Sequence, residues 1–183
     1  MEDKNADYTE ALVRACDESN GETWDLVVDH ELRGVTVEML EWFFPHCAEY
    51  YKMWCPDDHV SNTYEVPPTK ESRIGSIRVI EERLGDSPVY KIRMRQEDPG
   101  KSPFGEAHAG AGWASTLGPD DQPVLCSTHK YEATPYGTKM RSTFRLPAKT
   151  PQWLINALRK HNQLEMGNLP NFLPELYRQN AGR

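Results

Sequence analysis

The sequence predicts an α+β fold of the helix-grip type, in which a curved antiparallel sheet wraps around a long C-terminal helix. Two observations favour it: strand-like segments form two hairpins over residues 74–94 and 124–146, and a long segment of helical periodicity follows them. Strands that are followed by one long helix can bury their apolar faces by packing on it. Such a fold leaves a cavity between sheet and helix, where a small molecule can bind.

Length and composition limit the class of protein. A chain of 183 residues with a hydrophobic fraction of 38% can form one domain with a single core. Within it we expect an N-terminal extension over residues 1–31 and a helix-grip domain over residues 32–183. The net charge of −7 and the lack of a Lys/Arg cluster speak against nucleic acid as a partner. No apolar run approaches the length of a membrane span.

The N-terminus and the cysteines predict the location. The first residues are acidic and lack the apolar core of a signal peptide. The cysteines show no CxxC spacing, and we expect reduced thiols at Cys16, Cys47, Cys55 and Cys126. Together these features predict a cytoplasmic protein without a membrane partner.

The other predicted elements follow from periodicity and turn residues. In order, they are a helical patch at 8–16, a strand at 24–28, a helix at 39–51, a loop after 62, the first hairpin, a loop at 97–112, the second hairpin and the long helix. Pro45 must kink or split the 39–51 helix because proline lacks an N–H, and Phe43 is interpreted as a core residue. Thr36 and Thr150 are predicted N-caps, with Pro151 at the first helical position.

One short segment, residues 51–62, concentrates groups that can do chemistry. It combines aromatic side chains, two adjacent carboxylates and an imidazole. Pro56 ends any helix that arrives from Tyr51, because it has no N–H and restricts the residue before it. We therefore expect His59 on a turn just past a helix end, held by its aromatic neighbours.

The long helix carries two ionisable residues on its apolar face. The stripe at spacings of three and four consists of Leu154, Leu158, His161, Glu165, Leu169 and Phe172. A buried carboxylate is costly unless it is paired. His161 and Glu165, one turn apart, therefore either pair with each other or share a cation.

A zinc site needs further ligands. His59 is the first candidate, and Glu81 or Glu82, in the middle of an apolar strand, is the next. Strand alternation turns one of these two carboxylates inward, and Glu82 is favoured because it shares a face with apolar neighbours. His108 and His129 are candidates for groups near a substrate.

Three motifs together resemble the 2,4-diacetylphloroglucinol hydrolase family, which includes phloretin hydrolase. They are Gly34–Phe43, the Tyr-x-x-Trp-x-Pro-x-x-His pattern of Tyr51–His59, and His161-x-x-x-Glu165 followed by Leu173–Tyr177. The resemblance covers most of the chain from Leu32 onward. It implies a Bet v 1-like helix-grip domain that uses zinc to cleave an acyl group from a phenolic ring.

Carried over to this sequence, the resemblance implies the zinc ligands His59, Glu82, His161 and Glu165. It implies that the substrate is contacted by Tyr51, Asn62 and a further histidine, which is His129 or, alternatively, His108. There are departures from the family. Phe43 stands where the family usually has a second Trp, and the chain carries little of the family's N-terminal region, which closes over the pocket and helps to form a dimer.

We therefore predict a zinc-dependent hydrolase that cleaves the carbon–carbon bond between an acyl group and a phenolic or polyketide ring in secondary metabolism. The expected partners are a small aromatic or polyketide substrate and, as a homodimer, a second copy of the chain. Two alternatives use the same pocket, namely a non-hydrolytic metal-dependent cyclase or isomerase, and a small-molecule carrier. A pure carrier has no need of four convergent metal-type ligands.

Overall fold

A computed structural model describes residues 7–105 and 110–181 of the chain. The α-helices in these ranges are α1 (Tyr8–Ser19), α2 (Val37–His46), α3 (Tyr51–Trp54) and α4 (Gln152–Asn180). The strands are β1 (Thr23–Arg33), β2 (His59–Val66), β3 (Ile77–Glu82), β4 (Tyr90–Gln96), β5 (Gly110–Leu117), β6 (Pro123–Thr134) and β7 (Gly137–Pro147).

The strands form one seven-stranded sheet in the order β1-β7-β6-β5-β4-β3-β2. Every neighbouring pair is antiparallel. The edges of the sheet are therefore β1 and β2, which are consecutive in the chain, and α2 and α3 connect them. Both connecting helices contact α4, which also packs on β1. The predicted helix-grip arrangement is confirmed.

Residues 7–31, the described part of the predicted N-terminal extension, belong to this sheet and core. β1 buries Leu26, Val28 and Leu32 at alternate positions and pairs with β7 along its whole length. α1 packs on β6 and β7 and buries Leu12. The boundary that the sequence predicts between residues 31 and 32 falls inside β1, because the alternating pattern of that strand runs across it.

The predictions for the second helix are confirmed. Thr36 Oγ1 accepts a hydrogen bond from the backbone N–H of Met39 at 3.4 Å, as an N-cap does. α2 ends at His46, one residue after Pro45, and a turn separates it from α3. Phe43 is fully buried in the core.

Two strands lie where the sequence predicts loops. β2 begins at His59 itself, so that this residue opens a strand and does not sit on the preceding turn. β5 begins inside the segment 97–112. In neither strand do apolar and polar residues alternate regularly, which is the pattern that predicts a strand. β2 is an edge strand with mostly polar residues, and β5 starts in a glycine-rich stretch.

The long helix begins one residue later than the sequence predicts. Gln152 is its first residue, and Pro151, not Thr150, occupies the N-cap without a side-chain hydrogen bond. The hydroxyl of Thr150 instead donates to the carbonyl oxygen of Pro147 at 2.8 Å. The helix continues through Pro170 to Asn180.

The sheet and α4 enclose a cavity of about 130 Å³. A cavity of about 150 Å³ accepts benzene in a well-studied protein core, so this one has the size of a single aromatic ring. Its apolar walls include Phe44, Ile80, Ile92 and Leu125, and α1 contributes Tyr8. The cysteines are free thiols, as the sequence predicts. Among the described helices, none is both long and apolar enough to cross a lipid bilayer.

Candidate functional site

Four of the predicted site residues converge at one end of the cavity. His59 Nε2 lies 3.8 Å from Glu82 Oε2 and 3.7 Å from Glu165 Oε2. His161 Nε2 lies 3.7 Å and 3.9 Å from the same two oxygens. Both imidazoles are buried, whereas the two carboxylates keep exposed side-chain fractions of 14% and 13%. We call these four residues the His/Glu cluster.

The His/Glu cluster joins the edge of the sheet to the long helix. His59, the first residue of β2, pairs in register with Glu82, the last residue of β3. His161 and Glu165 lie one turn apart on the buried face of α4. The pairing of β2 with β3 and the packing of α4 must both form before the four side chains can meet.

The choice between the two adjacent glutamates follows from their contacts. Glu81 accepts a hydrogen bond from Ser61 Oγ at 2.8 Å. Glu82, on the opposite face of β3, lines the cavity and contacts both histidines. The structure therefore places Glu82 at the cluster, on the face that strand alternation predicts.

The proton on His59 is assigned by its hydrogen bond. Nδ1 lies 2.8 Å from the carbonyl oxygen of Tyr51, which can only accept, so the neutral ring carries its proton on Nδ1. Burial lowers the pKa of His59 and favours this neutral form. Nε2 is left with a lone pair, and it is buried without a hydrogen-bond partner in the described part of the chain.

This arrangement fits a divalent cation. The Nε2 lone pair of His59 faces two carboxylate oxygens, which repel it unless a positive charge lies between them. Zinc with bonds of about 2.0–2.2 Å in tetrahedral geometry holds neighbouring ligand atoms roughly 3.3–3.6 Å apart. The 3.7–3.9 Å separations in the His/Glu cluster are close to that spacing.

Asp58 orients the second histidine of the cluster. Its Oδ2 lies 2.9 Å from His161 Nδ1, and both side chains are buried. A carboxylate on the outer nitrogen turns Nε2 toward the centre, as in many metal sites. Burial lowers the pKa of His161, but the hydrogen bond that its ring donates to Asp58 and the charges of Glu82 and Glu165 outweigh it and raise this pKa to about 9.

The surroundings of Glu165 also shift the pKa of its carboxyl group. Burial raises the pKa of its carboxyl group to about 7, and the charge of Glu82 adds to the effect, although His161 opposes it. Three carboxylates and two imidazoles thus share a small volume, which holds an excess of negative charge when all carboxylates are ionised. Protons or a cation can neutralise that excess.

A thiol offers a further ligand atom. Cys55, His59 and His161 are buried and present ligand atoms within 4.8 Å of one another. Burial, helped by the charge of Asp58, raises the pKa of Cys55 to about 12, so that the thiol stays protonated at neutral pH in the absence of a metal. We therefore favour the carboxylates as ligands, and Cys55 is the alternative.

Tyr51 connects the His/Glu cluster to the cavity. Its hydroxyl donates a hydrogen bond to Glu82 Oε2, and its ring stacks on the imidazole of His59 with centroids 3.8 Å apart. The side chain also lines the cavity. Because its own proton is engaged by Glu82, the hydroxyl oxygen can accept a hydrogen bond from a bound ligand.

Asn62 lies beside the cluster with an unused amide. An irregularity in the β2–β3 register between His59 and Ser61 places Asn62 opposite Ile80, on the cavity face. Both Oδ1 and Nδ2 are buried and lack hydrogen-bond partners among the residues that the structure describes. Unpaired buried amides are costly, so a polar ligand in the cavity would satisfy this one.

His129 lies on the cavity wall as a neutral imidazole. Burial lowers its pKa to about 3, and its ring stacks on Phe44. Nδ1 lies 2.9 Å from Ser142 Oγ. The structure thus brings His129 to the cavity but not into the His/Glu cluster, and the alternative, His108, lies outside the described residues.

A hydrogen-bonded chain links His129 to the cluster through residues that sequence reasoning missed. Ser142 Oγ lies 3.2 Å from His30 Nε2, which lies 3.0 Å from Asn162 Oδ1. Asn162 Nδ2 in turn donates to Glu165 Oε1 at 3.1 Å. Only for His30 did the sequence hold a signal, since it shares the inward face of β1 with Leu32.

Fold and cavity place the protein in the Bet v 1-like helix-grip class, and solved structures support this. Ara h 8.0201 matches with a TM-score of 0.61 and 11% identity, over 84% of this chain and 99% of that one. The di-domain ARO/CYC BexL from the BE-7585A biosynthetic pathway matches with a TM-score of 0.57 and 12% identity, over 81% of this chain and 49% of BexL. The KanY protein matches with a TM-score of 0.53 and 10% identity, over 83% of this chain and 98% of KanY. These likenesses concern the fold alone.

The sequence itself defines the family. Residues 16–150 match the DAPG hydrolase PhiG domain model, and the chain therefore belongs to the DAPG hydrolase family that the motifs predict. No curated protein matches the chain by sequence. The matched segment includes His59 and Glu82, whereas His161 and Glu165 lie beyond its end.

Proposed function

We propose that this protein is a zinc-dependent hydrolase that cleaves the carbon–carbon bond between an acyl group and a phenolic or polyketide ring. The observation that carries the proposal is the His/Glu cluster at the wall of a cavity of aromatic-ring size. Membership of the DAPG hydrolase family supports it. The proposed ligands are His59, Glu82, His161 and Glu165.

The chemistry is divided between the metal and the cavity. Bound zinc supplies Lewis-acid chemistry and the activation of water. In the overall reaction, water adds a hydroxyl group to the acyl carbon and a proton to the ring carbon, the bond between these carbons breaks, and an acid and a phenol are released. The ring carbon can leave with the electron pair only if the phenol first takes its ketone form.

Tyr51, Asn62 and His129 are suited to hold the ring. The Tyr51 oxygen can accept from a ring hydroxyl, because its own proton is bound by Glu82. The free amide of Asn62 can both donate and accept. His129, neutral at pH 7, lines the same cavity from β6. Hydrogen bonds to the ring oxygens favour the ketone form when they strengthen as charge develops.

A cyclase or isomerase reaction is the second candidate. The observation that favours it is the structural likeness to BexL, an ARO/CYC protein, although this likeness concerns the fold. Such an enzyme would use the same cavity and metal without releasing an acid. A cytoplasmic location and a homodimer stay predictions.

Metal analysis tests the site. We expect about one zinc per purified chain, in line with a four-ligand site, and loss of that zinc in His161→Ala and Glu165→Ala. Glu81→Gln is the matched control, because this neighbouring carboxylate bonds Ser61 and not the histidines. Cys55→Ala should retain zinc. Unchanged zinc in both ligand variants would falsify the site, and loss in Cys55→Ala alone would assign the thiol as ligand.

Product analysis tests the reaction. Acylated phenols are incubated with the zinc-loaded protein, and release of free acid is followed by chromatography. We expect acid and deacylated phenol in equal amounts, and neither with the His161→Ala variant. Binding of these compounds without acid release, together with a rearranged or cyclised product, would favour the second candidate.

A further inference from the structure

An arginine lies in the cavity wall at some distance from the His/Glu cluster. Arg78, Ile80 and Glu82 share the inward face of β3, and all three line the cavity. Arg78 and Glu82 are four positions apart along the strand, which corresponds to about 13 Å of backbone. The guanidinium contacts Met94, the residue that pairs with Arg78 across β3 and β4, and so stays near the Arg78 end of β3.

The contacts of Arg78 do not neutralise its charge. Nη1 lies 2.9 Å from Cys47 Sγ and Nη2 lies 3.7 Å from Met94 Sδ. Thiol and thioether sulfur atoms are weak acceptors, whereas a guanidinium has five N–H donors. Over residues 7–105 and 110–181, Arg78 forms no ion pair with a carboxylate.

Arg73 also lines the cavity, whereas several other arginines have a carboxylate partner or are exposed to water. Arg93, Arg141 and Arg145 each form an ion pair with a carboxylate on the outside of the sheet. Arg83, which lacks such a pair, is exposed to water. Arg78 has no carboxylate partner in the described part of the chain and is only partly exposed to water. A charged group that is removed from water is costly without a partner.

A second polar group lies between Arg78 and the cluster. Asn62 pairs in register with Ile80, the residue midway between Arg78 and Glu82 on β3. Its amide has no partner among the described residues. The wall thus presents the cluster, an amide and a cation in a row, while Ile92, Leu125 and other apolar residues cover much of the remainder.

We propose that Arg78 binds an anionic oxygen of the substrate at the end of the cavity away from the His/Glu cluster. The substrate class is then an acylated phenol with a second, ionised oxygen, either a carboxylate or a phenolate, since both accept charge-assisted hydrogen bonds from a guanidinium. The inference rests on the proposed function for the acyl end of the ligand, but it concerns binding and is tested separately from turnover.

The test compares two ligands that differ in one charge. The first is a hydroxybenzoate with an acetyl group next to its hydroxyl, and the second is its methyl ester. Dissociation constants are measured by calorimetry on the zinc-loaded protein. We expect the wild type to bind the carboxylate at least about tenfold more tightly than the ester, as a charge-assisted hydrogen bond in a cavity allows.

Two variants assign the preference to Arg78. Arg78→Met fills similar space next to Met94 without charge and should abolish the preference, whereas Arg78→Lys should keep part of it. Arg83→Gln, an exposed arginine on the same segment, is the matched control and should behave as wild type. Zinc content and the thermal unfolding midpoint are measured for each variant, and Arg78→Lys alone decides the question if Arg78→Met does not fold.

The outcomes separate this proposal from the proposed reaction. A fluorinated form of the methyl ester, whose phenol is ionised at the assay pH, carries a phenolate but no carboxylate. Its binding therefore shows whether Arg78 accepts a phenolate oxygen as well as a carboxylate oxygen. Equal binding of charged and neutral ligands by the wild type, or a preference that persists in Arg78→Met, would overturn the role of Arg78. Charge-selective binding without acid release would leave the role of Arg78 intact and refute the hydrolase.

Discussion

The hydrogen bond between Asp58 and His161 gives a quantitative test of the proposed zinc site. The two atoms are 2.9 Å apart and buried, and Asp58 is the partner that holds the outer nitrogen of this ring. Replacing an outer partner of a metal-bound histidine typically weakens metal binding about 10–100-fold. At about 1.4 kcal/mol per factor of ten, the expected cost is roughly 1.4–2.8 kcal/mol.

Two substitutions should mark the ends of that range. In Asp58→Asn, the amide oxygen can still accept from Nδ1–H, so that the ring keeps its orientation and loses only the charge of its partner. We expect about a tenfold loss of zinc affinity. Asp58→Ala removes orientation as well, and we expect a loss of about 100-fold. Asp57→Asn, at the exposed neighbouring position, should have no effect.

The assay is competition with a zinc chelator of known affinity at pH 9. The pKa of His161 is about 9, so at this pH its proton competes little with zinc. The measured affinity then depends mainly on how strongly the His161 imidazole binds the metal. At pH 7, removal of Asp58 also weakens this proton competition and masks part of the loss. Wild-type affinity in Asp58→Ala at pH 9 would refute the assignment of Asp58 and would count against His161 as a ligand.

Two further predictions concern protons and the tyrosine. Because His161 must lose its proton to bind zinc, the affinity of the protein for zinc should rise about tenfold per pH unit from pH 7 to 9. It should rise more steeply with pH below pH 7, where Glu165 is also protonated. A chelator titration that shows no pH dependence would contradict this. Tyr51→Phe should keep the fold, weaken zinc binding about tenfold through Glu82 and lower kcat for acid release; unchanged kcat would exclude a role for the hydroxyl.

The sequence by itself determined the scaffold and the placement of three of the four residues of the His/Glu cluster. An α-helix places residues four apart on one face, so His161 and Glu165 had to lie together once the helix was recognised from its apolar stripe. In the same way, strand alternation turned Glu82 and not Glu81 toward the core. These are local rules, and they hold before any tertiary contact is known.

The tertiary structure alone decided the rest. His59 and Asn62 would lie on opposite faces of a regular strand. Because the β2–β3 register shifts between them, His59 meets Glu82 and Glu165 while Asn62 lines the cavity. Asp58 reaches His161 across 103 positions of sequence, and Arg78 looks like any surface arginine until β3 turns it inward. Such contacts depend on strand pairing and on the docking of α4, which bring distant residues together, and no spacing along the chain encodes them.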